Sequence, residues 1–151
     1  MPIEVTDCFL LRDNQICLAM KKRGHGVGLW NGTGGKIKDG ETVVEAAKRE
    51  AFEEFGVKLE NLESKGETLF IYEDGTEINS HVFLCKQWQG EPSESEEMAP
   101  EWFDLDKIPY DQMWATDKNW MPVILSGKSV KAVFYFNADK KTIKSFDLKE
   151  I

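Results

Sequence analysis

The sequence is short of positive charge. Lys and Arg number 19 against 27 Asp and Glu, which leaves a formal charge of −8. A chain with a pI near 4.9 does not grip nucleic acid by broad phosphate neutralisation, nor dock on an anionic membrane. It takes a small phosphorylated ligand only if a metal cation reconciles the two negative partners. Cysteine is also scarce. Cys8, Cys17 and Cys85 are an odd number without CxxC spacing, which argues against zinc and against a disulfide framework. Each lies in an apolar segment, as buried reduced thiols do, and a cytoplasmic protein is expected. No run approaches the ~20 apolar residues of a membrane span. The first residues, Met1–Asp7, lack a basic region and a long apolar stretch, so no signal peptide is expected. Repeats, low-complexity tracts and linkers are missing, and so is any Ser/His/Asp arrangement or activated thiol.

What remains is ordinary for a globular protein: 151 residues, 41% hydrophobic and 30% charged. That is one domain's worth of chain, expected over 1–151, with enough apolar surface to need no staples. Glu4 to Leu11 and Gln15 to Met20 read as strands joined by a turn at Asp13-Asn14. Half of the chain's 12 glycines then fall between Gly24 and Gly35, so this backbone must turn sharply or approach something closely. Glu41 to Phe55 is the one long helical pattern, with Val43, Val44, Ala47, Ala51 and Phe55 on one face and Gly56 as its stop.

Thr68 to Tyr72 and Glu77 to Cys85 read as strands, Pro92 to Pro100 as an acidic loop, and Glu101 to Leu105 as a short strand. Met121 to Leu125 reads as a short helix, with Asn119 as a possible cap and Pro122 in the first turn. Val130 to Phe136 and Thr142 to Leu148 form a closing hairpin. The class is α+β, a sheet with two or three helices.

The sharpest chemical signal sits at the end of the long helix. At about 100° per residue, Glu50, Glu53 and Glu54 share one sector. Like charges at that spacing repel, and the helix C-terminus disfavours anions. A hard divalent cation would remove both penalties; a solvated acidic face is the bland alternative. The upstream context favours the cation. Gly35-x5-Glu41-x7-Arg49-Glu50-Ala51-x-Glu53-Glu54-x-Gly56-Val57 resembles the Nudix box, the loop–helix–loop signature of hydrolases acting on nucleoside diphosphates linked to another moiety. Every charged and glycine position of the pattern is filled; only Ala51 departs, where a larger aliphatic residue is usual.

The resemblance implies the Nudix fold, an α/β/α sandwich around a central mixed sheet. It implies Mg²⁺, with Mn²⁺ as the alternative, held by Glu50, Glu53, Glu54 and the Gly35 carbonyl. Such an ion bridges phosphate oxygens and makes a bound water acidic. One glutamate would take the proton; Glu53 is favoured, though spacing does not separate it from Glu50. Arg49 would pair with Glu41 and steady the loop, and Glu97, from the acidic loop, would add a further carboxylate.

Beyond the box, Met20-Lys21-Lys22-Arg23-Gly24, Trp30-Asn31-Gly32, His81-Val82-Phe83 and Met113-Trp114 resemble the MutT-type, oxidised-purine nucleoside triphosphatases of animals. That likeness implies cleavage of 8-oxo-dGTP and its relatives to the monophosphate and pyrophosphate. It also implies a purine pocket: walls from Phe70, Trp114 and Trp120, an edge reader at Asn31, a carboxylate at Asp117, a small polar residue at Thr6 and a phosphate partner at Lys21. Thr116 stands where the animal enzymes carry a second acid beside Asp117, so a narrower preference, oxidised guanine over oxidised adenine, is expected. His25 and Ile78 also depart from the pattern at the pocket mouth and wall, and His81 reads as a hydrogen-bonded structural histidine. The expected partners are a small nucleotide and no nucleic acid or membrane, and the expected state is a monomer. Two alternatives stay open: a Nudix hydrolase on another nucleoside diphosphate-linked or isoprenyl diphosphate substrate, and a nucleotide-binding module without turnover.

Overall fold

The computed structural model describes residues 1–151. Strands β1 (Ile3–Arg12) and β2 (Gln15–Lys21) form the expected hairpin, with Asp13 at φ 57° in its turn. A two-residue strand, β3 (Trp30–Asn31), follows from the glycine-dense stretch. Helix α1 (Val43–Phe55) opens on a capping box, in which Thr42 accepts from the Glu45 N–H and Glu45 from the Thr42 N–H. It closes on Gly56 at φ 73°, the left-handed conformation glycine adopts without a Cβ penalty.

Then come β4 (Lys58–Ile71), β5 (Glu77–Gln89), β6 (Met98–Asp104), a 3-10 turn (Tyr110–Gln112), α2 (Asp117–Leu125), β7 (Val130–Phe136) and β8 (Ile143–Glu150). One mixed sheet runs β3-β2-β1-β5-β4-β7-β8, with β6 on the other side of β2. The β1–β5 and β4–β7 pairs are parallel and the rest antiparallel. A helix covers each face. Ala47, Ala51 and Phe55 of α1 pack with Cys8, Leu10 and Phe83; Trp120, Met121 and Ile124 of α2 pack with Phe9, Val82 and Phe134. This is the α+β sandwich expected.

Three differences from the sequence reading have physical reasons. The strand expected from Thr68 begins ten residues earlier, because shifts in register at Leu59/Asn61, Asn61/Leu62 and Ser64/Gly66 erase the two-residue alternation. Pairing of Met98 to Pro100 with β2 extends β6 into the expected loop; Pro100 is accepted there because β6 has a neighbour on one side only. Helix α2 starts at Asp117, four residues before the expected Met121, so Asn119 lies inside it and Pro122 in its interior. Burial of Trp120 and Met121 against the sheet outweighs the hydrogen bond that Pro122 cannot donate.

Candidate active site

The glycine-rich loop lies along the first half of β1, on the side where β2 pairs only with Leu10–Arg12. Thr33 exchanges backbone hydrogen bonds with Cys8, the Thr6 N–H donates to the Gly35 carbonyl at 2.9 Å, and the Ile37 N–H donates to Glu4. Glycine is what lets the loop come this close. A Cβ at Gly34 would lie 1.8 Å from the Thr6 carbonyl oxygen, and one at Gly35 would lie 2.6 Å from Glu50 Oε1. Gly35 thus admits the Glu50 carboxylate, while its own carbonyl spends one lone pair on β1.

Helix α1 meets this loop with its acidic end. Glu54 is 4% exposed and accepts the Gly34 N–H at 2.9 Å. Burial pushes its carboxyl up to about 8. Burial also raises Glu50, which accepts from Arg49 Nη1 at 2.8 Å. Glu53 keeps a half-exposed side chain, 3.4 Å from the same nitrogen. Arg49 grips Glu41 with two bonds, 2.6 and 3.0 Å, and reaches the Lys36 carbonyl at 3.1 Å. The hydrogen bond from Arg49 holds the Glu41 carboxyl down at about 2. The loop is therefore tied to the helix as the sequence suggested.

Glu97 arrives from the start of β6, close enough that its charge raises both Glu50 and Glu54. It accepts from Lys21 Nζ at 3.0 Å, and that bond lowers its own carboxyl. Glu50, Glu54 and Glu97 thus come together, with Glu53 at their margin. As the side chains stand, no three acidic, cysteine or histidine groups are arranged to chelate an ion. Arg49, Lys21 and Arg23 stand among the carboxylates as counter-charges. The donor set still fits a hard divalent cation, being all oxygen. Glu54 supports that fit: a buried carboxyl with one N–H donor lacks a partner for its charge.

A cavity of about 540 Å³ opens beside these groups and runs from Gly34, Gly35 and Glu54 to Asp117 and Trp120. Thr6, Lys21, Asn31, Phe70, Trp114 and Thr116 also line it, so every expected pocket residue is present. Trp114 Nε1 donates to Asn31 Oδ1 at 3.0 Å, and Asn31 Nδ2 donates to the Leu29 carbonyl. The amide is oriented and keeps one N–H and one lone pair for a ligand. His25 stacks on Trp114 with centroids 4.8 Å apart. Phe70 both lines the cavity and stacks on Phe134, so wall and core packing are one role here. Thr6 Oγ1 and Trp120 Nε1 are buried without a hydrogen-bond partner. Asp117 is 7% exposed, and burial pushes it up to about 7. A larger groove of about 1080 Å³ adjoins across His25, Ile78 and Trp114, but no glutamate lines it.

His81, beside this region on β5, bonds Glu4 at 2.7 Å, as a structural histidine does. The sequence reading passed over Asp7, which lines the cavity. The available signal was an acid inside an apolar strand, at an odd position shared with Phe9. The three cysteines are buried and free. No helix is long and apolar enough to cross a membrane.

The NUDIX domain model matches residues 1–124. The chain is 44% identical over 133 residues to the oxidized purine nucleoside triphosphate hydrolase of Danio rerio, covering 87% of this chain and 85% of that one. It is 41% identical over 143 residues to the Mus musculus protein of the same name, covering 94% and 91%. The crystal structure of a MutT protein from Bacillus halodurans superposes with a TM-score of 0.84 at 31% identity, covering 97% of each chain.

Proposed function

The chain belongs to the Nudix family, and on that premise we propose that it hydrolyses oxidised purine nucleoside triphosphates, such as 8-oxo-dGTP, to the nucleoside monophosphate and pyrophosphate. One observation carries the reading: a single cavity joins the end where Glu54 stands, beside the other α1 acids, to an aromatic, polar-floored end large enough for a base. The animal relatives named for that activity support the choice of substrate.

Glu50, Glu53, Glu54 and Glu97 would hold Mg²⁺, or Mn²⁺ in its place, with the Gly35 carbonyl as a further oxygen. The ion, when bound, neutralises phosphate charge and acidifies water. The protein does the rest. Arg49, fixed by Glu41, positions Glu50 and Glu53. Glu53 is the general base; its half-exposed carboxyl can hand the proton on to bulk water. Lys21 meets the phosphates beside Glu97. Trp114, Trp120 and Phe70 sandwich the base, and Asn31, Thr6, Thr116 and Asp117 hold its polar atoms. The protein acts as a monomeric single domain in the cytosol, removing damaged precursors before they reach DNA.

Steady-state rates with Mg²⁺ test this. The kcat/KM for 8-oxo-dGTP should exceed that for dGTP by at least tenfold, with pyrophosphate as a product. Equal values, or none for either nucleotide, would overturn it.

A further inference from the structure

Asp7 is an acid in the middle of an apolar strand, and no hydrogen bond or ion pair relieves its carboxyl. Side chains alternate along β1. Thr6 shares a face with Cys8 and Leu10, which pack on α1. Asp7 shares a face with Phe9, whose ring lies 6.0 Å from that of Trp120 on α2. Three residues before Trp120, Asp117 opens the same helix. Gly32 lies close against this part of β1: a Cβ there would meet the Cys8 carbonyl oxygen at 2.6 Å and Asp7 Oδ1 at 2.9 Å. Thr6 Oγ1, from the opposite face of β1, also lines the cavity and has no hydrogen-bond partner.

We propose that Asp7 is a second base-reading residue: it shares the cavity floor with Asp117, the two carboxyls hold one proton between them, and the floor offers a purine edge an O–H donor beside acceptor oxygens. This deepens the functional reading above and rests on it for the choice of nucleotide. The reason is electrostatic. Two neighbouring carboxyls, Asp117 buried and Asp7 partly so, do not both ionise where no cation pairs with them. Burial, and then the charge of Asp117, holds the Asp7 carboxyl well above its usual range. Lys21 and Lys36 line the cavity, but Lys21 is engaged by Glu97. Tyr110 and Cys8 also border the pair; burial raises both, and the neighbouring acids add to it. Glu54, His25 and Tyr72 complete the titratable lining, and burial raises Tyr72 as well.

A proton that sits on either oxygen set lets one floor match more than one arrangement of donors and acceptors. Thr116 beside Asp117 therefore does not leave a lone acid, because the second one comes from β1. The narrower base preference expected from Thr116 loses its premise.

The test uses two isosteric variants, each freezing one proton arrangement. Asp7→Asn fixes position 7 as a neutral donor, and Asp117→Asn fixes position 117. The ratio of kcat/KM for 8-oxo-dGTP to that for 2-oxo-dATP should shift about tenfold in opposite directions in the two variants, mainly through KM. A structural role moves both nucleotides alike. In the ligand-free parent, carboxyl carbon NMR should show a coupled pair with one carboxyl still protonated at pH 7. Ratios that stay put or move together, or two carboxyls ionised below pH 5, would overturn the proposal. A parent that turns over neither nucleotide sinks the functional reading instead, and the NMR titration alone then decides the pair.

Discussion

Glu54 Oε1 accepts the backbone N–H of Gly34 at 2.9 Å, joining the end of α1 to the loop that runs along β1. The bond has two consequences that separate charge from shape. Glu54→Gln keeps an acceptor for Gly34 and removes only the charge. Its stability should change by less than about 1 kcal/mol, while kcat falls at least about 100-fold. Glu54→Ala leaves the Gly34 N–H unpaired and should also cost about 1–3 kcal/mol. Thermal melts beside steady-state rates distinguish the two; full activity in Glu54→Gln would remove this residue from the site.

Metal removal acts at the same end of the cavity. With Arg49, Lys21 and Arg23 facing Glu41, Glu50, Glu53, Glu54 and Glu97, a triphosphate meets net negative charge. Excess EDTA should abolish turnover, and Mg²⁺ should restore it while raising the melting temperature of the parent. Turnover in EDTA equal to that in Mg²⁺ would contradict the assignment.

The pH dependence of stability should carry the mark of Asp117. Burial raises its carboxyl from an ordinary 3.8 to about 7, so the folded state holds a proton that the unfolded chain has released. Its contribution is fully present below about pH 4 and is lost as pH rises to 7. Asp117→Asn should flatten this part of the curve and gain on the parent toward pH 7. Parallel melting curves for the two proteins across pH 4–8 would count against it.

Gly34→Ala isolates the loop. A Cβ 1.8 Å from the Thr6 carbonyl oxygen cannot be accommodated without lifting the loop from β1. The expected loss is more than about 2 kcal/mol of stability together with most activity. A stable, active Gly34→Ala protein would show that the loop does not need this approach.

The sequence by itself determined whatever depends on neighbours along the chain. The α1 acids, Gly56 after them and the Arg49–Glu41 pair lie within one loop and helix, so spacing carries them. The alternation of β7 also survives, while β1 and β5 were legible as apolar runs, which fits strands buried on both faces by α1 and α2. Tertiary structure decided the rest, because the deciding contacts are distant in sequence. The bulges of β4 answer to β5, and Gly66 to the Val130 carbonyl. The start of α2 is set by burial of Trp120 against Phe9. Asp7 and Asp117 meet one cavity only because β1 and α2 close on it, and burial there raises both carboxyls, which neither strand nor helix shows by itself.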